Sequence, residues 1–166
     1  MFRKTEDFQK SWDYETQATL KLLDKIDDTS LSQRVTANGR SLGFLAWHLV
    51  LTMGEMMGRT GLAVDAPAED TPVPVRARDV RDAFEKAAQS LVAQVAQKWT
   101  DASLEDEVPM YGETWKRSQV LSSLILHQAH HRGQMTVLMR QAGLPVAGVY
   151  GPSREEWAQY GMPAQD

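Results

Sequence analysis

All four histidines of the chain fall in two apolar stretches: His48 inside LAWHLVLTMGE, and His127, His130 and His131 inside LILHQAHHRGQM. Two imidazoles one helical turn apart on one face can share an ion. A third from a neighbouring helix would complete a three-nitrogen set with coordination positions left open. An ion so held lowers the pKa of a bound water or thiol and turns it into a nucleophile. The H-x-x-x-H spacing of His127 and His131 lacks the glutamate of H-E-x-x-H, because Gln128 follows His127 and an amide cannot serve as a general base. Zincin-type proteolysis is therefore disfavoured. Met53, Met56 and Met57 stand at helical spacing and read as core filler rather than as copper or haem ligands.

A bland reading stands beside the metal. A lone histidine on an apolar helix, as at His48, is more often a hydrogen-bonded core residue than a ligand. The pair is more specific, since two desolvated imidazoles that share no ion would each need a partner of their own. Spacing alone leaves both readings open.

The elements that must position these residues are helices. Helical periodicity runs over residues 5–26, 41–61, 77–99 and 115–142. Ser41 serves as an N-cap and Gly61 as a stop for the second segment, while Gly143 followed by Pro145 closes the fourth. Between the second and third segments LAVDAPAEDTPVPV carries three prolines and reads as an extended, mobile surface connection. ASLEDEVPMYGET carries a weak signal for a short strand or hairpin around Gly112. Four helices without a convincing sheet predict an all-α four-helix bundle with one long crossover connection, forming one domain over residues 1–166.

Composition narrows the function. With 166 residues, 42% hydrophobic and 24% charged, the chain can bury a sizeable core. It has no cysteine, which excludes disulfides, zinc–thiolate clusters and a cysteine nucleophile, so thiol chemistry would need a thiol from solution. The start, MFRKTEDFQKSWDYETQ, lacks the apolar run of a secretory signal, and no stretch approaches the roughly 20 apolar residues of a membrane span. A cytoplasmic protein without membrane contact is expected. The net charge of −4, with no clustered basic tract, argues against nucleic acid as a partner.

Register orders the histidines. At about 100° per residue, Leu124, Gln128, His131, Met135, Leu138 and Ala142 form the core seam of the fourth helix. His127 sits one turn before His131 on the margin of that seam, so the two imidazoles can converge, whereas His130 points outward. On the second helix His48 lies beside the seam of Leu42, Ala46, Leu49, Met53 and Met57, in company with Phe44, Thr52 and Glu55. Glu55 is two turns beyond His48, roughly 10.5 Å, and reads as a solvated residue before a substrate-facing one. Tyr111, Trp115 and Tyr150 could line a pocket, with packing their commoner use.

The segments WHLVLTMGE and HQAHHRGQMTVLMRQAGLP resemble the DinB/YfiT-like superfamily of four-helix-bundle metalloenzymes, HxxxHRGQ being the sharper of the two. The resemblance spans the chain in helix order and implies that His48, His127 and His131 bind a divalent ion, zinc first and nickel second. In that setting Gly133 would permit close helix approach, and Arg132 and Gln134 would orient ligands or neighbouring loops. It further implies a transferase using a low-molecular-weight thiol, or a small-molecule hydrolase, with a small-molecule substrate and room for a homodimer. The competing class is a noncatalytic metal-binding or stress-response module that meets a partner through exposed methionines or the proline-rich loop.

Overall fold

The computed structural model describes residues 1–164. Four helices dominate it: α1 over Thr5–Leu23, α2 over Leu42–Gly58, α3 over Ala77–Lys98 and α4 over Arg117–Gln141. A two-stranded antiparallel hairpin, β1 Glu107–Met110 and β2 Glu113–Lys116, precedes α4. Both α1 and α2 pack against α3 and α4, so α1 and α2 occupy opposite corners of the bundle. The chain crosses between corners from α1 to α2 and again from α3 to α4. The core is assembled from the apolar stripes, with Phe8, Trp12, Met53, Phe84, Leu91 and Leu124 all removed from solvent. Burying each such side chain contributes about 1.5–3 kcal/mol.

Helix ends follow local chemistry. The Ser41 hydroxyl accepts from the Phe44 N–H and so fixes the first turn of α2. Gly61, at φ 85°, ends that segment with the Leu62 N–H on the Met57 carbonyl. α1 stops at Leu23, three residues short of the expected 26, yet Ile26 still reaches the core from the turn that follows. The fourth helix also begins later than expected. Trp115 belongs to β2, because the backbone reverses at Tyr111–Gly112, both with positive φ, in a two-residue turn that pairs Met110 with Glu113. The weak hairpin signal is thus realised, and it shortens the helix.

Close approach is set at Gly43 rather than at Gly133. A Cβ on Gly43 would lie 3.0 Å from the Leu31 carbonyl oxygen, so α2 sits directly on the short 3-10 turn Ser30–Ser32. Gly133, expected to allow close helix approach, instead faces open space. The proline-rich connection is pinned rather than loose: the Trp47 indole donates to the Thr71 carbonyl at 2.8 Å, and the Ser90 hydroxyl accepts from the Asp65 N–H at 2.9 Å. No helix among the described residues is long and apolar enough to cross a membrane.

Candidate metal centre

The site lies where α4 faces α2. Leu124, Gln128, His131, Met135 and Leu138 are buried as the register requires, while Ala142, the last residue of that expected seam, is only half-buried as the cap of α4. The polar member Gln128 binds the two helices together, its amide donating to the Leu49 carbonyl at 3.0 Å. That bond joins the residue after His127 to the residue after His48. It fixes the two turns in register, a structural use for the position where a zincin would carry its glutamate. On α2 the Thr52 hydroxyl donates to the His48 carbonyl at 2.8 Å.

The three imidazoles meet. His48 Nε2 is 3.2 Å from His127 Nε2, and His131 Nε2 is 3.1 Å from the same atom. One ligand nitrogen from each of the three lies within 4.8 Å of the others. Nitrogens around a tetrahedral zinc at 2.0–2.1 Å stand roughly 3.3 Å apart, and no two can be farther apart than about 4.2 Å. Two edges of the triangle already match, and the third, at most 4.8 Å, reaches the tetrahedral spacing with up to about 1.5 Å of ring movement.

Protons explain why a cation suits this arrangement. The Gln134 side-chain oxygen can only accept, so His131 Nδ1 donates to it at 2.7 Å, and a neutral His131 then presents Nε2 as a bare lone pair. His127 Nε2 stands between two other nitrogens, and one proton there cannot point linearly at both. A shared ion engages all three lone pairs at once. His127 Nδ1 is buried without a hydrogen-bond partner among the described residues, so the protein leaves this imidazole uncompensated. The donor set therefore fits a divalent ion with open positions.

Electrostatics keep the nitrogens unprotonated. Burial, reinforced by the neighbouring His131, His48 and His130, pushes His127 down to about 4. Burial also lowers His48, helped by His131 and Arg40. His131 is lowered chiefly by burial, against the opposing hydrogen bond from Gln134. Neutral imidazole is the form a metal needs.

His130 is exposed and contributes no nitrogen to the cluster, although its ring packs edge-on against His131 at 4.8 Å, and its ring nitrogen accepts from the Gln134 amide at 3.2 Å. Gln134 thus bridges the outward histidine to the inward one and orients His131. Arg132, expected to orient ligands or neighbouring loops, does not touch the histidines but does hold a loop, donating to the Tyr150 hydroxyl. It is buried against α1, where it pairs with Glu15 and donates to the Glu15 carbonyl at 2.9 Å and the Thr19 hydroxyl at 3.1 Å. Tyr150 joins that network, donating to Glu15 at 2.9 Å, and so fastens the C-terminal segment.

Glu55 is not the solvated residue expected. Its side chain is only 12% exposed, forms an ion pair with Arg59 and accepts from the Tyr111 hydroxyl at 2.7 Å. Its charge still reaches His48 and His127. Tyr111 carries φ 52° at the hairpin tip and has Arg59 over its ring at 4.9 Å. Nothing in sequence spacing announces that contact, because it depends on the hairpin folding back onto α2. Phe44, one turn before His48, stacks on its ring with a 13° interplanar angle, as the i, i+4 rule allows.

Comparison with known proteins adds relatives of the same architecture. The DinB family model matches residues 1–165. The uncharacterized protein YrdA of Bacillus subtilis (strain 168) is 45% identical over 164 residues, covering 99% of this chain and 98% of its own. A DinB-like protein of Bacillus cereus ATCC 10987, known from a crystal structure, superposes with a TM-score of 0.87 at 43% identity, over 90% of this chain and all of its own. A second crystal structure, the DinB-like YjoA of Bacillus subtilis, shares the fold at 19% identity with a TM-score of 0.66, over 82% of this chain and 92% of its own.

Proposed function

The chain belongs to the DinB family, and from that membership and its three converging imidazoles we propose a divalent-metal-dependent enzyme acting on small molecules. His48, His127 and His131 are the ligands, zinc the first ion and nickel the second. The observation that carries this reading is the pair of 3.1–3.2 Å contacts between ring nitrogens that a single proton cannot satisfy. A divalent ion bound there would supply a positive charge and an open position at which a thiol or water loses its proton more readily.

Transfer of a low-molecular-weight thiol is the leading reaction, with small-molecule hydrolysis second. Glu55, the carboxylate whose charge reaches the site, is occupied by Arg59 and Tyr111, which leaves it poorly placed to take a proton from water. A thiol, with a pKa near 8.5, needs less help. Gln134 holds His131 with its lone pair inward, and Gln128 keeps α2 and α4 in register. Met53, Met56 and Met57 are buried as core filler, and the exposed methionines that a noncatalytic module could use are, among the described residues, Met1 and Met162.

The test is metal analysis of protein purified without a histidine tag, as wild type and His131→Ala, followed by electrophile screening with several cellular thiols. One zinc per wild-type chain, lost in the variant, together with thiol-dependent turnover supports the reading. Wild-type protein that cannot be loaded with metal overturns it. Metal with neither thiol transfer nor hydrolysis favours the noncatalytic class.

A further inference from the structure

Beside the histidines, between the start of α2 and the second half of α4, lies an open cleft of about 330 Å³. Its walls are mostly apolar, with Val35, Leu45, Val137 and Leu138, and two polar residues, Arg40 and Gln134, lie among them. Gln134 is the residue that holds His131, so the cleft touches the candidate centre through a single side chain. A second connection runs along α2. Arg40 lies over the Phe44 ring at 5.1 Å, and Phe44 stacks on His48 at 5.9 Å, so residues four apart form a row from cleft to site.

Arg40 is a cation in want of an anion. Among the described residues no carboxylate pairs with it, and its partner is the face of Phe44. Its charge lies near enough to disfavour protonation of both His48 and His131. Glu55, the carboxylate that could offset charge at the site, is held by Arg59. An ion on the three neutral imidazoles together with Arg40 would leave concentrated positive charge facing an apolar cavity of a size that takes small ligands.

We propose that this cleft is the substrate subsite and that Arg40 recognises a carboxylate on a small molecule with an apolar body, whose reacting end reaches toward the histidines. The proposal rests on the metal-dependent reading above and names its substrate class. A planar guanidinium binds a carboxylate bidentately. A phosphate dianion would call for further donors, and among the described residues no second cation lines the cleft, the nearby Arg34 being held on the Gly39 carbonyl. The Arg40 guanidinium is 5.1 Å from the Phe44 ring centre, itself 5.9 Å from that of His48, and these two steps bound the distance between carboxylate and reacting atom.

The test measures dissociation constants of 4-phenylbutyrate, its neutral amide and inorganic phosphate for the full chain, metal-free and zinc-loaded, as wild type, Arg40→Gln and Arg40→Lys. Arg40 is exposed, so neither variant disturbs the core. The expected result is that wild type binds the carboxylate about tenfold or more tightly than the amide even without metal. Arg40→Gln is expected to bring that ratio to about one, and Arg40→Lys to keep part of it. A ratio near one in wild type, a ratio unchanged in Arg40→Gln, or phosphate bound more tightly than the carboxylate overturns the proposal. If wild type takes up no zinc but keeps the Arg40-dependent ratio, the metal reading fails while the cleft assignment stands.

Discussion

Two adjacent residues of α4 face different neighbouring helices and enter two kinds of polar environment. His131 points toward α2 and joins three imidazoles that are all neutral and crowded nitrogen to nitrogen, with His127 Nδ1 left unpartnered. Arg132 points toward α1 and is 1% exposed, yet it meets the Glu15 carboxylate and carbonyl, Thr19 and Tyr150. The Arg132 network is closed by the protein's own groups at both terminal nitrogens, with only Nε unpartnered among the described residues, and reads as architecture. The His131 cluster is open in a way that one cation completes. Buried polarity thus sorts by whether its partners are already in the chain.

Perturbing each region should separate stability from metal binding. The largest effect is expected from Glu15→Ala, which strands a buried guanidinium: about 3–5 kcal/mol lost in urea unfolding. The double replacement Glu15→Leu with Arg132→Met should recover much of that loss, because the uncompensated charge is gone. Next comes His127→Ala, expected to weaken zinc binding by about a hundredfold or more in a calorimetric titration while the metal-free protein keeps or raises its thermal midpoint. Equal losses of stability from Glu15→Ala and His127→Ala would erase the distinction between the two regions. A smaller change belongs to Gln134→Ala, which frees the His131 ring and should reduce zinc affinity about tenfold with little change in fold.

A separate effect is expected in pH dependence. His127 titrates near 4 in the folded chain against about 6.5 when unfolded. Between those values the unfolded state binds more protons, so stability of the metal-free protein falls as pH drops from about 6.5 toward 4. His127→Ala should reduce that slope, leaving the part due to His48 and His131, which burial also lowers. An unfolding midpoint that falls equally in both proteins would place the titration elsewhere.

Much of the bundle was legible in the sequence because its cores obey a single period. The seam of α4 could be read through Gln128 and His131 despite their polarity, and the same register set His130 outside. What escaped was non-local. Trp115 reads as helical by pattern, but the Tyr111–Gly112 reversal draws it into a strand. Glu55 looks solvated on α2 until the hairpin brings Tyr111 onto it. Arg132 sits in a motif with the histidines, yet rotation of about 100° per residue carries it to the opposite neighbour. The glycine that matters for close approach is Gly43, not Gly133, a difference set by where the chain returns after α1.

The most direct measurement is zinc K-edge absorption on untagged, zinc-loaded protein. The expected result is one zinc per chain with three histidine nitrogens at about 2.0–2.1 Å. Fewer than three imidazoles in that shell, or a shell unchanged in His127→Ala, would contradict a centre built by His48, His127 and His131.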